Sequence, residues 1–310
     1  MFECFSLATC YALARARRIL VEKEGGNFAW HFYDEAVQSL VADLINCTDA
    51  SLQNSLVTGV GELVRFAPLP IPSGDSAQIE LENSEKDSEK VSKSSGEKKD
   101  LCVVQLFLTL RKIYENHKLA SKIREQAVQT AGYLCMGACI DIKSSIMKNL
   151  LKLAESSSEL EMHFSVGDAL VDCVLGPKSE SALDSWTESQ SIVADESVES
   201  METDENLTSE NLEEASMGWL LNTILKDHVT KTKPSIRQAS CLWLLTLVKR
   251  CRGFPQLQRR LPSIQNAFMD LLNDKSEIVQ DAASKVIIRI RFLLKPSRLS
   301  LGPLRDYKYV

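Results

Sequence analysis

Aromatic residues make up only 6% of this 310-residue sequence, little for a large enzyme built around one core. Thirteen Gly and nine Pro are too few for an all-β protein, which needs many tight turns. No apolar run reaches the roughly 18 residues that a spanning helix requires, because Arg, Lys or Asp interrupts each one. The first twenty residues place Arg15, Arg17 and Arg18 after the apolar stretch, the reverse of a secretory signal. Nor is there a positive excess: the formal charge is −6, which argues against bulk nucleic-acid binding.

What the sequence does have is nine cysteines, an odd number with no CxxC pair. Most lie among apolar neighbours, as Cys135 and Cys241 do, so they read as buried reduced thiols of a cytosolic or nuclear protein. The charge is uneven. Between Lys178 and Ser216 there are twelve acids and one base. This Ser-rich stretch holds too little apolar surface to offset the entropy of ordering, so disorder is expected. A second such stretch runs from Pro68 to Asp100, opening with three alternate prolines that forbid helix.

Elsewhere apolar residues recur at helical spacing: Ile123, Ala127, Ala131, Leu134; Ile146, Leu150, Leu153; Ile236, Ala239, Leu242; Ile278, Ala282, Val286, Ile290. Helices of about four turns with short joints form antiparallel pairs. The pattern also repeats. Ile123 with Ala127, Val166 with Ala169, Ile236 with Ala239 and Ile278 with Ala282 each pair a branched residue with a small one three or four places on. The small residue permits close helix approach while the branched one fills the groove. The spacings are 43, 70 and 42, and a fainter match at Leu52 precedes Ile123 by 71. A period of about 40–47 is that of HEAT or armadillo repeats. Both long spacings contain one of the two polar stretches, at the same point of the register.

The expected fold is therefore all-α: an α-solenoid of HEAT/ARM-like antiparallel helix pairs with two disordered inserts. The expected divisions are an N-terminal helical section 1–67, a linker 68–100, repeats 101–176, an acidic insert 177–216, repeats 217–294 and a basic tail 295–310.

Three segments carry a more specific resemblance. Lys233-Pro234-Ser235-Ile236-Arg237-Gln238-Ala239-Ser240-Cys241-Leu242-Trp243, Phe164-Ser165-Val166-Gly167-Asp168-Ala169-Leu170 and Gln280-Asp281-Ala282-Ala283-Ser284-Lys285 resemble the large HEAT-repeat proteasome adaptor and scaffold proteins. The resemblance covers roughly Leu101 to Lys285, and members of that family are several times longer than this chain. It implies one internal section, from a fragment or a short isoform. It also implies a scaffold or adaptor without catalytic activity, whose partners are the proteasome core and regulatory particles, in cytoplasm and nucleus, with any membrane contact made through partners. A HEAT-type scaffold of a nuclear-transport or phosphatase complex is the alternative, since repeat physics does not name the partner. After Lys285 the sequence departs from the family, and from Lys285 to Val310 there are seven bases and one acid. That departure reads as an alternative terminus and bears on the packing of the last repeat; a basic amphipathic membrane segment is the sharper reading.

Catalytic and cofactor chemistry has no foothold in the pattern. Catalytic, cofactor-binding and metal residues are all expected to be absent. His31, His117, His163 and His228 lie in no nucleophile motif. Cys135 and Cys139 could offer two zinc ligands at i, i+4, but a structural site needs four. Gly59-Val60-Gly61 sits inside a helical pattern and lacks the third glycine of a dinucleotide loop. Asp168 and Asp172 read as a solvated face. Ser181 and Ser185, each followed three residues later by an acid, are candidate phosphorylation sites.

Overall fold

The computed structural model describes residues 12–13, 15–16, 31–66, 68–75, 79, 101–136, 138–175, 215–251 and 254–293. Among them there is no strand. The described helices that position the surfaces discussed below are α1 (His31–Asn46), α2 (Ala50–Phe66), α3 (Val103–Tyr114), α4 (Ser121–Tyr133), α5 (Ile140–Ser156), α6 (Leu160–Leu175), α7 (Pro234–Cys251), α8 (Pro255–Leu272) and α9 (Glu277–Leu293). The chain divides into two compact units, Met1–Leu220 and Leu221–Val310.

In the first unit the helices form three pairs, α1 with α2, α3 with α4 and α5 with α6. Joints of a few residues turn each first helix back along the second. The second helices stack in sequence, α2 on α4 and α4 on α6, and α1 also packs on α3. Paired helices repeated side by side are the arrangement of an α-solenoid. In the second unit α8 pairs with α9, and α9 stacks on α7. Here a π-helical turn, Ile224–His228, packs on α7 and α8.

Local chemistry sets the helix starts. Asp49 accepts the backbone N–H of Leu52 at 2.8 Å and so caps α2. At the start of α3 the Cys102 sulfur accepts the N–H of Gln105 at 3.4 Å. Two further N–H groups of that end find backbone partners: Val103 donates to the Pro72 carbonyl at 2.8 Å and Val104 to that of Ser73 at 3.2 Å. The proline-rich segment is thus a strap laid across the end of α3, with Leu69 buried. This corrects the expected start of the first insert: residues 68–75 are docked. Gly74 sits at φ 83°, where a Cβ would come within 2.7 Å of the Cys102 sulfur, so only glycine fits that turn. The second insert also ends earlier than expected, since Ser216 is helical and buried. Apart from the buried Ile79, residues 76–100 of the first expected insert, residues 177–214 of the second, the tail 295–310 and the candidate phosphorylation sites Ser181 and Ser185 lie outside the described residues.

The stacked second helices approach closely where small residues meet. A Cβ placed on Gly132 of α4 would fall 2.7 Å from the Ala169 carbonyl oxygen and 2.8 Å from its Cα, both on α6. On the other side of α4, a Cβ on Gly61 of α2 would fall 2.6 Å from the Thr130 hydroxyl oxygen. That hydroxyl donates within its own helix to Gln126 at 2.9 Å, and lies 3.4 Å from the Val57 carbonyl of α2. The glycines of the Gly59-Val60-Gly61 stretch therefore stand in a helix, with Gly61 serving packing.

Candidate functional site: the faces and edges of the repeats

The small-residue positions of the repeat are buried: Ala127, Ala169, Ala239 and Ala282 all lie in the core. Of the branched partners, Val166 and Ile236 are buried and Ile123 is half-buried. Ile278 differs. It is 60% exposed, and the next residue, Val279, is fully buried in its place. The departure is confined to the start of α9, because Ala282, Val286 and Ile290 are buried as expected, with Val279 and Ala283 beside them. The last repeat packs as a repeat through these residues. Val166 also sits one turn deeper in α6 than Ile123 and Ile236 do in α4 and α7.

At the inter-repeat edge the structure shows a device that the sequence pattern did not reveal. Arg124, in the first turn of α4, is only 3% exposed. Its Nη1 donates to both carboxylate oxygens of Glu159, at 3.0 and 3.1 Å, just before α6 begins. Its Nε donates to the Tyr114 carbonyl at 3.0 Å, at the end of α3. One guanidinium thus holds three helices of two neighbouring repeats. Arg237, in the first turn of α7, does the same in the second unit. Its Nε and Nη2 donate to the two oxygens of Asp274 at 2.6 and 2.8 Å, and its Nη1 to the carbonyls of Lys231 and Thr232. The planar fork of arginine matches a carboxylate in two parallel bonds, which fixes angle as well as distance. The Arg237 bond and the Ser276 N–H beside it hold the Asp274 carboxyl below its usual range, against the opposing effect of burial. The signal was present in the sequence as Ile123-Arg124 and Ile236-Arg237, an arginine directly after the branched residue of two repeats.

Reactive groups of the described residues do not converge. Among the described residues no group of three or more His, Cys, Asp and Glu could hold a metal ion. Cys135 is buried while Cys139 is exposed, so the two do not share a site. His163 and His228 are core residues, and His228 packs edge-on against Trp243 with ring centroids 5.5 Å apart. Burial pushes the Cys241 thiol up to about 12, which leaves it protonated and unreactive. Asp172, expected on a solvated face with Asp168, is buried at 3% exposure, because α6 is covered by α4 and α5. Among the described residues no helix is long and apolar enough to cross a membrane.

Surfaces remain. Large apolar side chains stand exposed at Leu52, Leu160, Phe164, Met269, Ile278 and Ile288. Four of them lie in the first two turns of second helices: Leu52 on α2, Leu160 and Phe164 on α6, and Ile278 on α9. Phe164 leaves nearly half of its side chain open to solvent on α6.

No family model matches the chain. Among curated proteins it is 27% identical over 258 residues to the human "Proteasome adapter and scaffold protein ECM29", a match covering 81% of this chain and 12% of that protein. It is 23% identical to the Drosophila melanogaster "Proteasome-associated protein ECM29 homolog", over 74% of this chain and 11% of the relative. The chain thus spans about one eighth or less of the length of these relatives. Among solved structures, a designed armadillo repeat protein in complex with the peptide (KR)4 is 11% identical, with a TM-score of 0.35, over 92% of this chain and 91% of that one. At that score the solenoid assignment rests on the helix pairing and stacking described above. Over 81% of its length, the chain is similar to one section of the proteasome adaptor and scaffold proteins, as the repeat motifs implied.

Proposed function

We propose that this chain is a non-catalytic HEAT-repeat section of a scaffold that binds the proteasome and stabilises or tethers its assembly. Its partners in this reading are the core and regulatory particles, met in cytoplasm and nucleus. The observation that carries the proposal is the similarity over 81% of the chain to proteins named for proteasome association and scaffolding. The physics is compatible with it. Stacked helix pairs, locked by the Arg124–Glu159 and Arg237–Asp274 pairs, keep exposed side chains such as Leu160 and Phe164 in fixed positions within each unit. Rigid presentation lowers the ordering cost of binding a large partner.

Affinity capture with the tagged 310-residue chain, after mild cross-linking in cell extract, tests the reading. Enrichment of proteasome subunits over an unrelated helical protein supports it. Enrichment of nuclear-transport or phosphatase subunits without proteasome subunits would overturn it. Turnover by the purified chain in hydrolase and transferase screens would overturn its non-catalytic part.

A further inference from the structure

Cys135 and Cys173 are both completely buried, and they are neighbours close enough that Cys135 raises the Cys173 thiol. Cys135 lies in the turn that follows α4, and Cys173 lies near the end of α6. They stand three residues beyond Gly132 and four beyond Ala169, the pair at which the two helix backbones nearly touch. A disulfide needs Cα atoms about 4.4–6.8 Å apart, a separation that only closely packed backbones offer.

From this placement we infer that Cys135 and Cys173 are a latent disulfide, a redox modification site that staples two consecutive repeats. The step is a two-electron oxidation. Each thiol loses one proton and one electron, the S–S bond forms, and a peroxide takes up both electrons and both protons as its O–O bond breaks to give two waters. Diamide performs the same oxidation in vitro, its N=N bond accepting the two hydrogens. Burial holds the Cys173 thiol in its protonated form, with the neighbouring Cys135 and Asp172 acting in the same direction and Lys143 against them. The thiolate is the reacting species, so the closed state oxidises slowly and the rate follows local opening of the turn that holds Cys135. Once formed, the link prevents α4 and α6 from separating, and the joint between these repeats loses its freedom to flex. This inference is independent of the proteasome reading.

The test uses the 310-residue chain carrying Cys139→Ser, because Cys139 is exposed and would share a tryptic peptide with Cys135. The protein is exposed to diamide overnight, unfolded in N-ethylmaleimide to block remaining thiols, and mapped without reduction. The expected result is one linked species joining peptides 125–143 and 153–178, together with a higher urea midpoint that returns to its starting value on reduction. Recovery of both cysteines as N-ethylmaleimide adducts would overturn the inference, as would pairing of Cys135 with any other cysteine. Cys173→Ala in the same background must abolish the link; a surviving cross-link on peptide 125–143 would equally contradict it.

Discussion

At the scale of single residues, what decides packing is the distance at which two backbones meet. Gly132→Ala would set a methyl group 2.7 Å from a backbone oxygen that belongs to another helix and cannot rotate away. The neighbouring repeat would have to shift, at a cost of about 1–3 kcal/mol. Gly218, also helical, has nothing within 4 Å of its would-be Cβ. There the same change removes only the entropic penalty of glycine and should stabilise by up to about 1 kcal/mol. Urea denaturation of both variants checks the pair: the Gly132 variant should unfold at lower urea, the Gly218 variant at equal or higher. Equal midpoints would mean that α4 and α6 do not touch there. The same scale shows why some positions could not be read from the sequence. Ile278 and Val279 are both branched and adjacent, so periodicity cannot choose between them; the turn before α9 does. Asp172 is charged and looked solvent-facing, yet its side of α6 is closed by neighbours that no local pattern reports.

At the scale of elements, the helices were legible because three-and-four spacing of apolar residues is imposed by burial of one face. The strap 68–75 was not, because its order comes from carbonyls that cap a helix beginning thirty residues later. The arginine locks were half-legible: the residue was visible, its distant partner was not. Asp274 gives them a pH signature. Its folded-state pKa lies below the unfolded value, so its stabilising contribution is fully present above the unfolded value of about 3.9. It is lost as pH falls through the lower folded value. Asp274→Asn should therefore lower the urea midpoint at neutral pH and flatten its dependence in the acid range. Asp274→Ala, which leaves the Arg237 fork without its carboxylate, should cost about 1.5–3 kcal/mol at pH 7. An unchanged acid limb in the asparagine variant would show that the Arg237 pair does not couple to folding.

For the molecule as a whole, each unit repeats one rule: a second helix stacks on its predecessor through small residues, and an arginine ties its start to the next joint. If the repeats bind through contact faces spread along their helices, as proposed, recognition is distributed. Single substitutions at core histidines, His163→Ala for example, should alter binding only as far as they alter folding. Replacement of Leu160 and Phe164 together by Asp should weaken binding while leaving the helical circular dichroism unchanged. A loss of helical signal in that double variant would place both side chains in the core instead.

Glycerol-gradient sedimentation reads proteasome binding without intermediaries. Labelled 310-residue chain is mixed with purified core particles, with purified regulatory particles, or with both, at micromolar concentration. Part of the label should move from the light fractions to those of the particles, most of all when both are present. The shifted fraction should be smaller than for a longer relative, because a section of a solenoid carries only a section of a distributed interface. Label that stays in the light fractions under every combination, while a longer relative shifts, would contradict the claim for this chain.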